Sequence, residues 1–136
     1  MIFSTKGRVA AISEELQPKL WGYMAGIAKR QGFEAVIIGG ALDHVHALLL
    51  LPPVMPLAKA IQYLKGSSSK WLHENGVNFS WQEGYGAFSV SASHTSDVIR
   101  YIKNQAVHHA KRSFEEEFVN FLRKYDVPYD PKYVLG

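Results

Sequence analysis

Cysteine is absent from the 136 residues, which excludes disulfides, thiolate zinc sites and a cysteine nucleophile together. Long apolar runs are also missing. The longest, 47–51, has five residues, against the ~20 that a membrane-spanning helix needs. The opening Met1-Ile2-Phe3-Ser4-Thr5-Lys6 has neither the basic start nor the apolar middle of a secretion signal. Nothing resembles a phosphate-cradling P-loop, a Gly-x-Ser-x-Gly elbow or a dinucleotide fingerprint. Nor does one sign of charge dominate: 15 Lys plus Arg stand against 12 Asp plus Glu, and the net +3 permits a polyanionic partner without demanding one. A soluble, cytoplasmic protein with no membrane partner is the expectation.

What is present is enough for one core: 47% of the residues are hydrophobic, and a chain of this length fits a single domain over 1–136. Residues 2–5 look like the end of a strand, followed by the basic turn Lys6-Gly7-Arg8. Ser13 can cap a helix in which Leu16, Leu20, Tyr23, Met24, Ile27 and Ala28 recur at helical spacing, with Pro18 delaying its regular part and Gly32 placed to stop it. The β-rich stretch 34–38, the glycines Gly39 and Gly40 for a reversal, and the strand 44–51 read as an antiparallel hairpin ended by Pro52 and Pro53. A second helix opens after Pro56 and finishes near Asn75-Gly76, and 85–92 alternates large apolar with small residues as a half-buried strand does. Ser96 then caps a third helix, and Ser113 with Glu116 forms a capping box before a last helix striped by Phe114, Phe118, Phe121, Leu122 and Tyr125. The order strand, helix, strand, strand, helix, strand predicts an α+β, ferredoxin-like (RRM-like) antiparallel sheet with helices packed on one face, plus C-terminal helices. Such folds host many functions, so function has to come from a site.

Two places carry chemistry. His44 and His46 flank Val45 inside a strand, where alternation sends both imidazoles to the same face. Paired imidazoles serve as metal ligands or as a general base, and they also occur as ordinary sheet residues. On the third helix, Tyr101 and Gln105 stand four residues apart and share a face, a phenol and an amide aimed at one region. One can be a nucleophile and the other a metal ligand; alternatively Val98, Tyr101, Ile102 and Gln105 form a packing stripe.

Taken together, Asp43-His44-Val45-His46, Leu64-Lys65-Gly66-Ser67-Ser68, Trp81-Gln82-Glu83-Gly84-Tyr85 and Tyr101-Ile102-Lys103-Asn104-Gln105 resemble the single-tyrosine transposases of the IS200/IS605 type, within the HUH endonuclease class. The resemblance runs over nearly the whole chain. It implies an enzyme that cuts and rejoins single-stranded DNA by transesterification, recognising hairpin ends of an insertion element. Tyr101 would be the nucleophile, joined to a 5′ phosphate. His44, His46 and Gln105 would hold a divalent ion, Mg2+ or Mn2+. A homodimer is implied, with the tyrosine of one subunit completing the histidine site of the other.

Further candidates are weaker. Lys6, Arg8, Lys65 and Ser67 can contact DNA phosphates, and Trp81 can stack on an unpaired base, although scattered cations are commonly solvated and aromatics beside a strand commonly core. His108 and His109 follow Gln105, and a solvated helix end is the favoured reading for them. His73 and His94 read as surface residues, His94 being close enough to the third helix to reach substrate. The competing function is a non-catalytic DNA- or RNA-binding regulatory relative, and a third is a metal-dependent hydrolase that uses water as nucleophile.

Overall fold

The computed structural model describes residues 1–87 and 89–104. Gln105, His108, His109 and the helix expected after Ser113 lie outside the described residues. Among the described residues, three strands and three α-helices follow one another as β1 (Ile2–Ser4), α1 (Leu16–Arg30), β2 (Glu34–Gly40), β3 (His44–Leu50), α2 (Leu57–Glu74) and α3 (Thr95–Lys103). Short 3-10 turns occupy Lys6–Arg8 and Ala92–His94. The sheet order is β1-β3-β2, antiparallel throughout, so β3 is central, and its first four residues are buried. No described helix is long and apolar enough to cross a membrane.

Local chemistry sets the helix ends. Ser13 Oγ accepts from the Leu16 amide at 3.3 Å, and Pro18 sits in the first turn, where its missing N–H leaves no hole in the ladder. Gly32 and Gly76, at φ +87° and +82°, adopt the left-handed conformation that closes α1 and α2. The next amides, Phe33 and Val77, donate back to the Ala28 and Leu72 carbonyls at 3.0 and 2.9 Å. α3 begins at Thr95 with His94 in the cap position and no side-chain cap, two residues earlier than Ser96 capping would require.

The two faces of the sheet are unlike. One receives α1 and α2, whose Leu20, Met24, Ile27, Ala60, Leu64 and Leu72 bury against Phe3 and Val45. Each fully buried aliphatic side chain contributes about 1.5–3 kcal/mol before the cost of ordering it. Tyr23 and Trp71 stack at 5.3 Å between the two helices. The other face receives α3, held by Val98 and Ile102 against Ile37 and Leu48. A one-residue register shift in β2 makes this possible: Ala35 pairs with Leu49 and Ile37 with Leu48, leaving Val36 as the extra, exposed residue. Beyond it the phase of β2 is reversed. Ile38 joins the main core, while Ile37 meets α3.

Two expectations need correction. Gly39 and Gly40 are not the reversal; they are the last residues of β2, paired with His46 and Val45, and the chain turns at 41–43 instead. Their missing side chains serve close approach. A Cβ on Gly40 would strike the His44 carbonyl, and one on Gly39 would lie 2.6 Å from the Ile102 carbonyl oxygen.

The strand expected at 85–92 is likewise absent among the described residues. Contact with the sheet begins earlier and is broken: bridges join Thr5 to Trp81 and Ile2 to Gly86, so the later segment takes five steps where β1 takes three. Lys65 holds the stretch between the two bridges. Its ammonium donates to the carbonyls of Gln82 and Gly84 at 2.8 and 2.7 Å, and the Ser4 amide bonds the Gln82 side chain at 2.6 Å. The carbonyls of 82–84 thus turn to the lysine of α2 between the two bridges.

Candidate active site

β3 delivers His44 and His46 to the α3 face, as alternation requires, while Val45 between them enters the main core. Both histidines are deeply buried, His44 at 0% exposure and His46 at 5%, with ring centroids 5.1 Å apart and edge to face. The turn before them is pinned on two sides. The Thr5 amide donates to the Asp43 carbonyl at 2.8 Å and the Ile12 amide to that of Leu42 at 2.9 Å. So held, Asp43 places Oδ1 2.8 Å from His44 Nδ1. A carboxylate there favours the tautomer with the proton on Nδ1, which puts the lone pair on Nε2 and fixes the ring plane.

α3 brings the third member. The Tyr101 ring meets the His46 ring edge to face at a centroid distance of 5.4 Å, within one chain, and its phenol oxygen is buried. Tyr101, His46, Leu48, Val90, Val98 and Ile102 contribute to the lining of a mostly apolar cavity of about 550 Å³ beside α3. His44, His46 and Tyr101 are therefore gathered on one face, with Asp43 behind them. A carboxylate–imidazole pair beside a second imidazole is a donor set suited to a divalent metal. Among the described residues no three of His, Cys, Asp and Glu form a metal-holding group, and Gln105, the expected third ligand, lies outside them.

The other candidates are placed elsewhere. Trp81 is not a stacking platform: its ring lies in the main core, edge-on to Phe3 and Phe79 at 4.8 Å each, and its Nε1–H donates to Ser68 Oγ at 3.1 Å. Lys65 is not a phosphate contact in this arrangement either, because its ammonium is spent on the 82–84 carbonyls and lies 5.1 Å from the Phe3 ring centroid. Burial lowers its pKa from the ordinary 10.5. Ser67 is half-buried in α2 on that same side of the sheet. Lys6 is exposed and Arg8 half-buried in the turn after β1, Arg8 with φ +56°. His73 accepts a structural task, Nε2 meeting the Phe79 carbonyl at 2.9 Å, and His94 is exposed near Asp97 at 4.0 Å. Asp43 and Gly39 are the site residues that spacing alone does not announce. An acid directly before the paired histidines signals the first, and nothing local signals the second.

The chain has relatives among known proteins. The chain is 27% identical over 113 residues to the transposases for insertion sequence element IS200 of Salmonella typhimurium strain LT2 and of Salmonella typhi, covering 77% of this chain and 74% of each relative. A crystal structure of a provisionally assigned transposase from Deinococcus radiodurans R1 superposes with a TM-score of 0.60 at 26% identity, over 76% of this chain and 86% of that one. Residues 1–105 match the family model described as "Transposase IS200 like", a span that takes in β1 to α3 and with them Asp43, His44, His46 and Tyr101. The chain belongs to the IS200-like transposase family.

Proposed function

We propose that the chain cuts and rejoins single-stranded DNA at the hairpin ends of an insertion element, with Tyr101 as the nucleophile. The observation that carries this reading is the Tyr101 ring lying against His46, 5.4 Å between centroids, in a member of a transposase family. The phenol, with an ordinary pKa of about 10, is mostly protonated at neutral pH, so it must lose its proton as its oxygen bonds to phosphorus. The P–O3′ bond breaks and the departing 3′ oxygen takes up a proton. A 5′ phosphate is left joined to Tyr101 beside a 3′ hydroxyl. One phosphate ester has replaced another, so a later 3′ hydroxyl can reverse the exchange with no high-energy cofactor.

His44 and His46 would hold a divalent ion, with Gln105 as the expected third ligand. When bound, Mg2+ or Mn2+ would draw charge from the phosphate oxygens. Two imidazoles and an amide are softer than magnesium prefers, which makes manganese at least as suitable in vitro. Asp43, with Oδ1 2.8 Å from His44 Nδ1, would keep His44 in the tautomer that leaves Nε2 for the ion. The assembly is a homodimer in this reading, with sites shared between subunits as the family resemblance implies, although a single chain already brings its own Tyr101 to its own His46.

The test is direct. Protein and Mn2+ are incubated with single-stranded oligonucleotides from the flanks of its gene, and a denaturant-resistant protein–DNA adduct is sought. Tyr101→Phe and His44→Ala should each abolish it; a normal adduct from Tyr101→Phe removes the assigned nucleophile. Mixing the two variants tests sharing. Cleavage regained only in the mixture means that tyrosine and histidines from different subunits can cooperate, and none regained despite subunit exchange means that each chain uses its own.

A further inference from the structure

α3 is a short helix, and what fixes its height above the sheet decides where Tyr101 lies. Two of its side chains, Val98 and Ile102, are buried. Ile102 is the neighbour of Tyr101, and beneath it lies Gly39. Gly39 pairs across the strands with His46, so the position without a side chain is directly beside the histidine that Tyr101 touches. An ideal Cβ on Gly39 would sit 2.6 Å from the Ile102 carbonyl oxygen and 2.8 Å from its Cγ2. Gly39 does not have a positive φ, so backbone conformation does not call for glycine there. Clearance does. Because one of the two clashing atoms is backbone, a rotamer change cannot relieve it, and the helix itself has to retreat.

We infer that Gly39 is a positioning residue for the tyrosine, its missing side chain letting α3 settle on the sheet so that Tyr101 reaches His46. This rests on the reading of Tyr101 as nucleophile. A normal carbon–oxygen contact is roughly 3.3 Å, so a methyl group at this position displaces the Ile102 backbone by roughly 0.7 Å. Misplacement of about 1 Å at a reacting group can cost on the order of a hundredfold in rate. Gly39→Ala should therefore lower the rate of adduct formation by at least about tenfold, while affinity for the single-stranded oligonucleotide stays within about twofold of the parent, since the change removes no charge.

A second readout does not depend on catalysis. The chain has no cysteine, so His46→Cys with Tyr101→Cys creates the only two thiols, and dibromobimane becomes fluorescent when it bridges them. Bridging should be efficient in the pair and fall several-fold when Gly39→Ala is added, with the melting transition still cooperative. Equal bridging with and without Gly39→Ala overturns the inference, as does an unchanged adduct rate. Should Gly39→Ala fold poorly, adding Ile102→Ala removes the Cγ2 clash but leaves the carbonyl clash. Bridging that stays low in that folded variant supports the inference, and full recovery overturns it. If the parent protein forms no adduct while bridging still depends on Gly39, the nucleophile reading fails and the seat stands.

Discussion

The two faces of the sheet divide the labour of this molecule. On one, α1 and α2, of 15 and 18 residues, bury Leu20, Met24, Ile27, Leu64 and Leu72 in one cluster with Phe3, Val45 and Trp81. On the other, the nine residues of α3 rest on two buried side chains and a glycine, beside two buried histidines and a tyrosine. On the first face the loss of buried apolar volume should cost the most stability; on the second the loss of a polar group should cost the most activity. With Tyr101 as the proposed nucleophile, stability and chemistry are separated by the thickness of one strand, β3, whose alternate residues face each side.

The sharpest way to break this comparison is to remove one atom from the chemical face. Tyr101→Phe should eliminate the covalent adduct on a denaturing gel, while stability in urea changes by no more than about 1 kcal/mol, the value of a single hydroxyl's interactions. Leu64→Ala, on the opposite face, is the mirror experiment. It should cost about 2–5 kcal/mol in urea unfolding and leave adduct formation per folded molecule unchanged; an equal loss of both would mean that the faces are coupled. Smaller is the effect of Asp43→Ala, which should weaken Mn2+ binding by about 10–100-fold in titration calorimetry. The backbone carbonyl at that position, which holds Thr5, is retained, so melting should shift little. Smallest is Lys65→Met. Freed carbonyls at 82–84 should cost about 1 kcal/mol and speed hydrogen exchange at the Ile2 and Gly86 amides. An unchanged salt dependence of DNA binding would agree with its place away from Tyr101, and a shallower one would return it to the DNA.

What could be read from residues alone divides along a similar line. Helix faces, their glycine terminators and the shared direction of His44 and His46 follow from periodicities of a few residues, and the structure repeats them. The alternation at 85–92 misled because a ladder needs a partner: the segment meets β1 at Gly86, where it exchanges both bonds with Ile2, and among the described residues no strand pairs with it beyond that point. Gly39 and Gly40 looked like a turn because glycine pairs usually make one, whereas here each yields space to an atom from another segment. Trp81 drew attention as an aromatic in a family-like motif, yet Phe3 and Phe79 enclose it. The meeting of Tyr101 with His46 lay beyond any periodicity. It rests on α3 crossing the sheet on the side away from α1 and α2, and only the resemblance to a known family pointed there.

The surplus residue in β2 has a last consequence. Val36 is a spacer that matches no residue of β3, so a gene lacking that codon would still bring Ala35 opposite Leu49 and Ile37 opposite Leu48, and the protein should survive the shortening. Loss of the codon for Ile38, two places on, would instead rotate the glycine seat out from under the tyrosine helix. Length variation in this strand should therefore be tolerated at one position and penalised at its neighbours.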